Sequence, residues 1–122
     1  MANQLSSLSA LSPLDGRYAS KVDALRPWMS EAAFMRQRVK VEVHWLIALS
    51  EAKLPGFPAF GKDAQQVLLA LVDQFSDADA SRIKEIEAVT NHDVKAVEYW
   101  LKEKVAGHAE LEKASEFIHF AC

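Results

Sequence analysis

The chain has 122 residues, half of them hydrophobic and a quarter charged. That composition suits one domain with a modest core and excludes a disordered segment. A formal net charge of −3 argues against non-specific nucleic-acid binding and leaves room only for a local basic pocket. With a single cysteine, Cys122, there is no disulfide framework within the chain, and no apolar run reaches membrane-spanning length. The start lacks the basic and long apolar regions of a signal peptide, so the expectation is a soluble cytoplasmic protein without membrane contact.

Residues 1–27 show little periodicity. Ser6, Ser7, Ser9, Ser12, Pro13, Asp15 and Gly16 are turn formers, and the three-residue spacing of Leu5, Leu8, Leu11 and Leu14 is interrupted by Pro13 and Gly16. An ordered, non-helical arm is expected here, with the helical body in residues 28–122. Within the arm, Asp15-Gly16 favours a tight turn that projects Arg17 and Tyr18 together. Arg17 offers a planar fork for phosphate or carboxylate, and Tyr18 a ring with a hydroxyl. A plain surface turn fits the same residues.

Pro27 and Ser30 open a long helix, Glu31 to Ala52, which Pro55-Gly56 closes. Met35, Val39, Val43, Leu46 and Leu49 form one apolar line. Phe34, Val41, Trp45 and Ala48 form a second, so more than one neighbour is needed to cover this helix. His44 falls on its polar side. Glu42 falls inside the apolar arc one turn after Arg38, which suggests an ion pair at a packed seam. Leu54 to Lys62 is a loop docked by Phe57 and Phe60. A second helix, Asp63 to Phe75, buries Val67, Leu68, Leu71, Val72 and Phe75. Ser76 with Asp79 forms a capping box for a short helix, Asp77 to Glu87, with Ala80, Ile83 and Ile86 inward.

Thr90 followed three residues later by Asp93 fits another capping box, and Val94, Val97, Leu101 and Val105 then recur at helical spacing up to Gly107. At about 100° per residue, His92 and Tyr99 lie away from that stripe. A helix N-terminus carries unpaired N–H groups and partial positive charge. Asn91, His92 and Asp93 add an amide, an imidazole and a carboxylate there. The pattern is open between an ordinary cap with a solvated histidine and an anion site. Beyond Gly107, Glu110 to Glu116 spans one or two helical turns. Phe117 to Cys122 is apolar with no stop signal, as expected of a segment cut from a longer chain.

The sequence shows no metal-ligand spacing among His44, His92, His108 and His119, no cysteine pair and no glycine-rich phosphate loop. His119, within an apolar run, reads as a hydrogen-bonded structural histidine, and His108 beside Gly107 as a helix end. The fold class that emerges is all-α, with four or five helices.

Three stretches carry a resemblance: Ser12-Pro13-Leu14-Asp15-Gly16-Arg17-Tyr18, then Thr90-Asn91-His92-Asp93-Val94-Lys95-Ala96-Val97-Glu98, then Ser115-Glu116-Phe117-Ile118-His119-Phe120-Ala121-Cys122. In this order and spacing they resemble the N-terminal part of bacterial adenylosuccinate lyases, in the fumarase/aspartase superfamily. The resemblance implies a small helical N-terminal domain, truncated before the central helical bundle. It implies that Arg17, Tyr18, Asn91, His92 and Asp93 contact a nucleotide substrate. It places the catalytic acid and base beyond Cys122, so that no catalytic residue lies in this chain. It further implies a homotetrameric parent that splits adenylosuccinate to AMP and fumarate, and also splits the succinylated aminoimidazole carboxamide ribotide, with no cofactor or metal. A non-enzymatic helical interaction module is the alternative, together with a purely structural packing domain.

Overall fold

A computed structural model describes residues 6–122; Leu5 lies outside the described residues. The fold is all-α, with no strand among the described residues. Among the described residues six α-helices follow in order: α1 (Arg26–Met29), α2 (Glu31–Glu51), α3 (Lys62–Asp73), α4 (Asp77–Thr90), α5 (Asp93–Val105) and α6 (Ala109–Lys113). The chain divides into two units, one ending at Phe34 and one running from Met35 to Cys122.

The first unit is built from turns. Short 3-10 segments cover Ala19–Lys21 and Asp23–Leu25, so the arm is coiled more tightly than a featureless strap, and α1 opens at Arg26 ahead of the expected helical body. Pro27 sits at the start of α1, where its missing N–H costs nothing. Ser30 then breaks the helix with an extended ψ of 165° and caps the next one, its Oγ accepting from the Ala33 N–H at 3.2 Å. The two residues read as a single helix start thus serve two helices.

In the second unit, α2 buries the line Met35, Val39, Val43, Leu46 and Leu49. Its second apolar line behaves differently: Val41 and Trp45 are exposed. Ala64, Leu68 and Val72 of α3, Ala80 and Ile83 of α4, and Ala96, Val97, Trp100, Leu101 and Val105 of α5 complete the core. Deleting a buried side chain of this kind costs about 2–5 kcal/mol. Phe57 and Phe60 are buried as expected, with Phe57 edge-on to Phe117 at 4.6 Å.

The Ser76–Asp79 capping box is present in both directions, and α4 starts there. Lys104 of α5 pairs with Asp79 at 3.2 Å, and Arg82 with Glu103 at 2.6 Å. The start of α4 therefore lies beside the end of α5, which makes the two an antiparallel hairpin joined through Asn91 and His92. That junction carries three of the candidate site residues.

Candidate functional site

The junction is set by one backbone choice. Asn91 adopts the left-handed conformation (φ 51°, ψ 31°) and its N–H donates to the Glu87 carbonyl at 2.8 Å, which terminates α4. Asparagine tolerates this region better than most side chains. The chain restarts at once, with His92 extended (φ −147°, ψ 112°) as the N-cap of α5. This corrects the cap read from the sequence: Thr90 closes α4 instead of opening α5, so Asp93 is the first helical residue and not the third. Thr90 Oγ1 braces the link, donating to the His92 carbonyl at 3.2 Å.

The cap itself is an imidazole. His92 Nδ1 accepts from the Lys95 N–H at 3.1 Å, the bond a serine or aspartate would ordinarily take. An accepting Nδ1 places the ring proton on Nε2, so a ring whose side chain is 63% exposed offers one N–H donor. Asp93 is not consumed by the cap. Its Oδ1 accepts from the Val94 N–H at 2.8 Å and its Oδ2 from the Arg38 guanidinium at 2.8 Å. The Val94 N–H, and after it Arg38, hold this carboxyl below the usual aspartate range. Asn91, His92 and Asp93 are all exposed. Thr90 and Tyr99 also line an open cleft of about 520 Å³ between α4 and α5.

Arg38 was expected to pair with Glu42. In the structure it reaches Asp93, while Glu42 takes its hydrogen bonds from His119 and Cys122. His119 is therefore the hydrogen-bonded structural histidine expected, and His44 is exposed. His108 caps α6 through Nδ1 and meets Asp63 at 3.1 Å through Nε2.

Arg17 and Tyr18 belong to the first unit. The Arg17 guanidinium lies 4.6 Å above the centroid of the Tyr18 ring, a cation–π stack that occupies the face of the fork and leaves its edge N–H groups for an anion. The turn that presents them depends on Gly16. A Cβ there would stand 2.9 Å from the Ser7 carbonyl oxygen, closer than such atoms approach. The Pro13 carbonyl accepts from both Gly16 and Tyr18, at 3.3 and 2.9 Å.

Sequence reasoning assigned no role to Lys95 and Glu98. Lys95 Nζ pairs with the buried Glu98 carboxylate at 2.5 Å and stands 5.4 Å from the Tyr99 ring centroid, with Lys102 on the same ring at 6.0 Å. The Glu98 hydrogen bond raises the Lys95 ammonium above its ordinary value. The i,i+3 spacing of Lys95 and Glu98 was a legible signal for that pair.

Fold and site together define an all-α segment whose polar candidate residues stand at helix ends and turns around an apolar core. No protein-family model matches the chain. It is 58% identical over 120 residues to the adenylosuccinate lyase of Haemophilus influenzae and equally to that of Escherichia coli, in each case over 98% of this chain and 26% of the relative. The adenylosuccinate lyase of Dictyostelium discoideum is 46% identical over 122 residues, 96% of this chain and 26% of that protein. The chain belongs to the adenylosuccinate lyase family and corresponds to its N-terminal part, spanning about a quarter of the length of the curated relatives it matches. No helix among the described residues is long and apolar enough to cross a membrane.

Proposed function

We propose that this chain is the substrate-binding N-terminal part of an enzyme that cleaves adenylosuccinate to AMP and fumarate, and cleaves the succinylated aminoimidazole carboxamide ribotide in the same way, within cytoplasmic purine synthesis. The observation that carries this reading is the His92 cap. The ring spends Nδ1 on the backbone and so presents Nε2–H as a donor of fixed direction, between an exposed amide and an exposed carboxylate. Arg17 supplies charge for a phosphate and Tyr18 a stacking ring; Asn91 and Asp93 supply polar contacts, and Arg38 orients Asp93.

The chemistry asked of the whole enzyme is proton abstraction beside a carboxylate and protonation of the departing nitrogen. On this reading the residues of this chain bind and orient substrate, the base and acid lie in the remaining three quarters, and the parent is a homotetramer that uses no cofactor and no nucleic acid. The alternative of a non-enzymatic helical interaction module is not favoured, because the relatives reported are lyases.

The test is a titration of adenylosuccinate, and separately AMP, into the 122-residue chain, followed by NMR. Saturable shifts at His92 and at Arg17 or Tyr18 are expected, with His44 silent. Shifts that do not saturate, or that persist unchanged in His92→Ala, would refute the assignment.

A further inference from the structure

Away from that junction, three donors of different chemistry meet. We infer that Glu42, His119 and Cys122 form a binding site for one zinc-like divalent cation, a proposal independent of the lyase reading.

Their ligand atoms all lie within 4.8 Å of one another. His119 Nδ1 is 2.6 Å from Glu42 Oε1, and Cys122 Sγ is 4.0 Å from Glu42 Oε2. Each carboxylate oxygen thus faces one of the other two donors. Around tetrahedral zinc, bond lengths of about 2.0–2.3 Å place neighbouring donors roughly 3.3–3.6 Å apart. The two observed distances bracket that value. An ion entering between Nδ1 and Oε1 replaces the hydrogen bond there, widens that gap and draws the thiol in.

The scaffold is built. Glu42 is 7% exposed and projects from the middle of the 21-residue helix α2. One turn further on, Trp45 Nε1–H donates to the Phe120 carbonyl at 2.6 Å and ties the donor turn to the same helix. The turn closes on itself through the Cys122 N–H and the His119 carbonyl at 3.3 Å, with His119 and Ala121 both at positive φ (65° and 57°). That geometry sets ring and thiol on the side facing Glu42.

The donor set selects the ion. Nitrogen, oxygen and sulfur ligands suit zinc, whereas calcium and magnesium need oxygen shells. Charge agrees as well. A buried carboxylate calls for a positive partner, and a carboxylate plus a thiolate neutralise a dication. The thiol gives up its proton to solvent as the sulfur–metal bond forms. A fourth position is left for water. No sequence spacing announced the site, since Glu42 and His119 are 77 residues apart.

Zinc, and cobalt as its spectroscopic substitute, should be titrated into the full 122-residue chain by calorimetry and absorbance. The expected result is one ion per chain, a thiolate-to-cobalt charge-transfer band, and a Tm raised by zinc. Cys122→Ser should abolish the band and weaken zinc binding at least tenfold, and His119→Gln and Glu42→Gln should each weaken it by a similar factor. His44→Gln, at an exposed histidine, should leave zinc binding unchanged. Cys122 is exposed, so its variant decides the matter even if Glu42→Gln fails to fold. Absence of a saturable site, or unchanged binding in both Cys122→Ser and His119→Gln, would mean an adventitious ion only and would overturn the proposal.

Discussion

Replacing His92 separates the helix cap it provides from the ligand contact proposed for it. His92→Ala removes the Nδ1 acceptor and leaves the Lys95 N–H without its cap. The side chain is largely exposed, so no cavity forms and the loss is that of an N-cap, ~1 kcal/mol, or roughly 3–6 °C in Tm for a domain of this size. The same substitution removes the Nε2–H donor. A hydrogen bond to a charged ligand oxygen contributes about 1.5–3 kcal/mol, roughly 10- to 150-fold in affinity. His92→Ser restores an acceptor at the cap position and cannot reach outward. Thermal unfolding followed by circular dichroism, run beside adenylosuccinate titration, should show stability lost in the alanine variant and largely regained in the serine variant, with binding lost in both. A serine variant that melts as low as alanine would refute the cap. Wild-type affinity in both variants would refute the ligand role.

Other outcomes follow from the same structure. The isolated chain should release no fumarate from adenylosuccinate above a boiled control, because residues that act as a catalytic unit fail together when some are missing. Leu8, Leu11, Trp28, Met29 and Val41 are exposed, so sedimentation at rising concentration should show self-association and an environment-sensitive dye should bind; a strictly monomeric, dye-silent profile would contradict this. Asp93 and Glu103 are both held below their ordinary values, Asp93 chiefly by the Val94 N–H and Glu103 chiefly by Arg82. Depressed folded-state values mean that the unfolded chain binds these protons first. Their stabilisation is therefore present above the ordinary carboxylate range of about 4 and fades as pH falls below it, and Asp93→Asn should flatten that part of a denaturant-midpoint curve against pH. Gly16→Ala should disturb the Arg17–Tyr18 turn, visible as NMR shifts confined to the first unit, because its Cβ would press on the Ser7 carbonyl.

Much of the fold was legible because helical spacing reports burial directly. The line Met35, Val39, Val43, Leu46 and Leu49 and the Ser76–Asp79 box stand where the sequence put them. The second line on α2 did not follow. An apolar stripe states that a surface is costly to expose, not which body covers it, and Val41 is 61% exposed. The cap at the α4–α5 junction was misplaced for a different reason. Thr90 and Asp93 carry the usual residue types at the usual spacing, while the deciding event, the left-handed turn at Asn91, leaves no periodic trace. Partners of Arg38 and Glu42 were mistaken because an i,i+4 pair is visible along a sequence and a contact across 55 or 77 residues is not.

That misplacement changes what position 92 has to be. As a first-turn residue, the histidine would be free for a ligand and exchangeable without cost to the fold. As the N-cap, it faces inward through Nδ1 and outward through Nε2. Aspartate can satisfy the helix but carries no donor, and the hydroxyl of a capping serine stays at the helix end, as at Ser76, which donates back to Asp79 Oδ2 at 3.0 Å. Lysine and arginine carry donors but no acceptor. Asparagine has both functions on one short amide, so a group that caps the helix keeps its N–H close to the helix end. An imidazole sets acceptor and donor on opposite edges of a rigid ring, and the bond to Lys95 fixes its plane. Under the proposed substrate role, binding at this position would need no further ordering of the side chain, because the cap bond already fixes the ring.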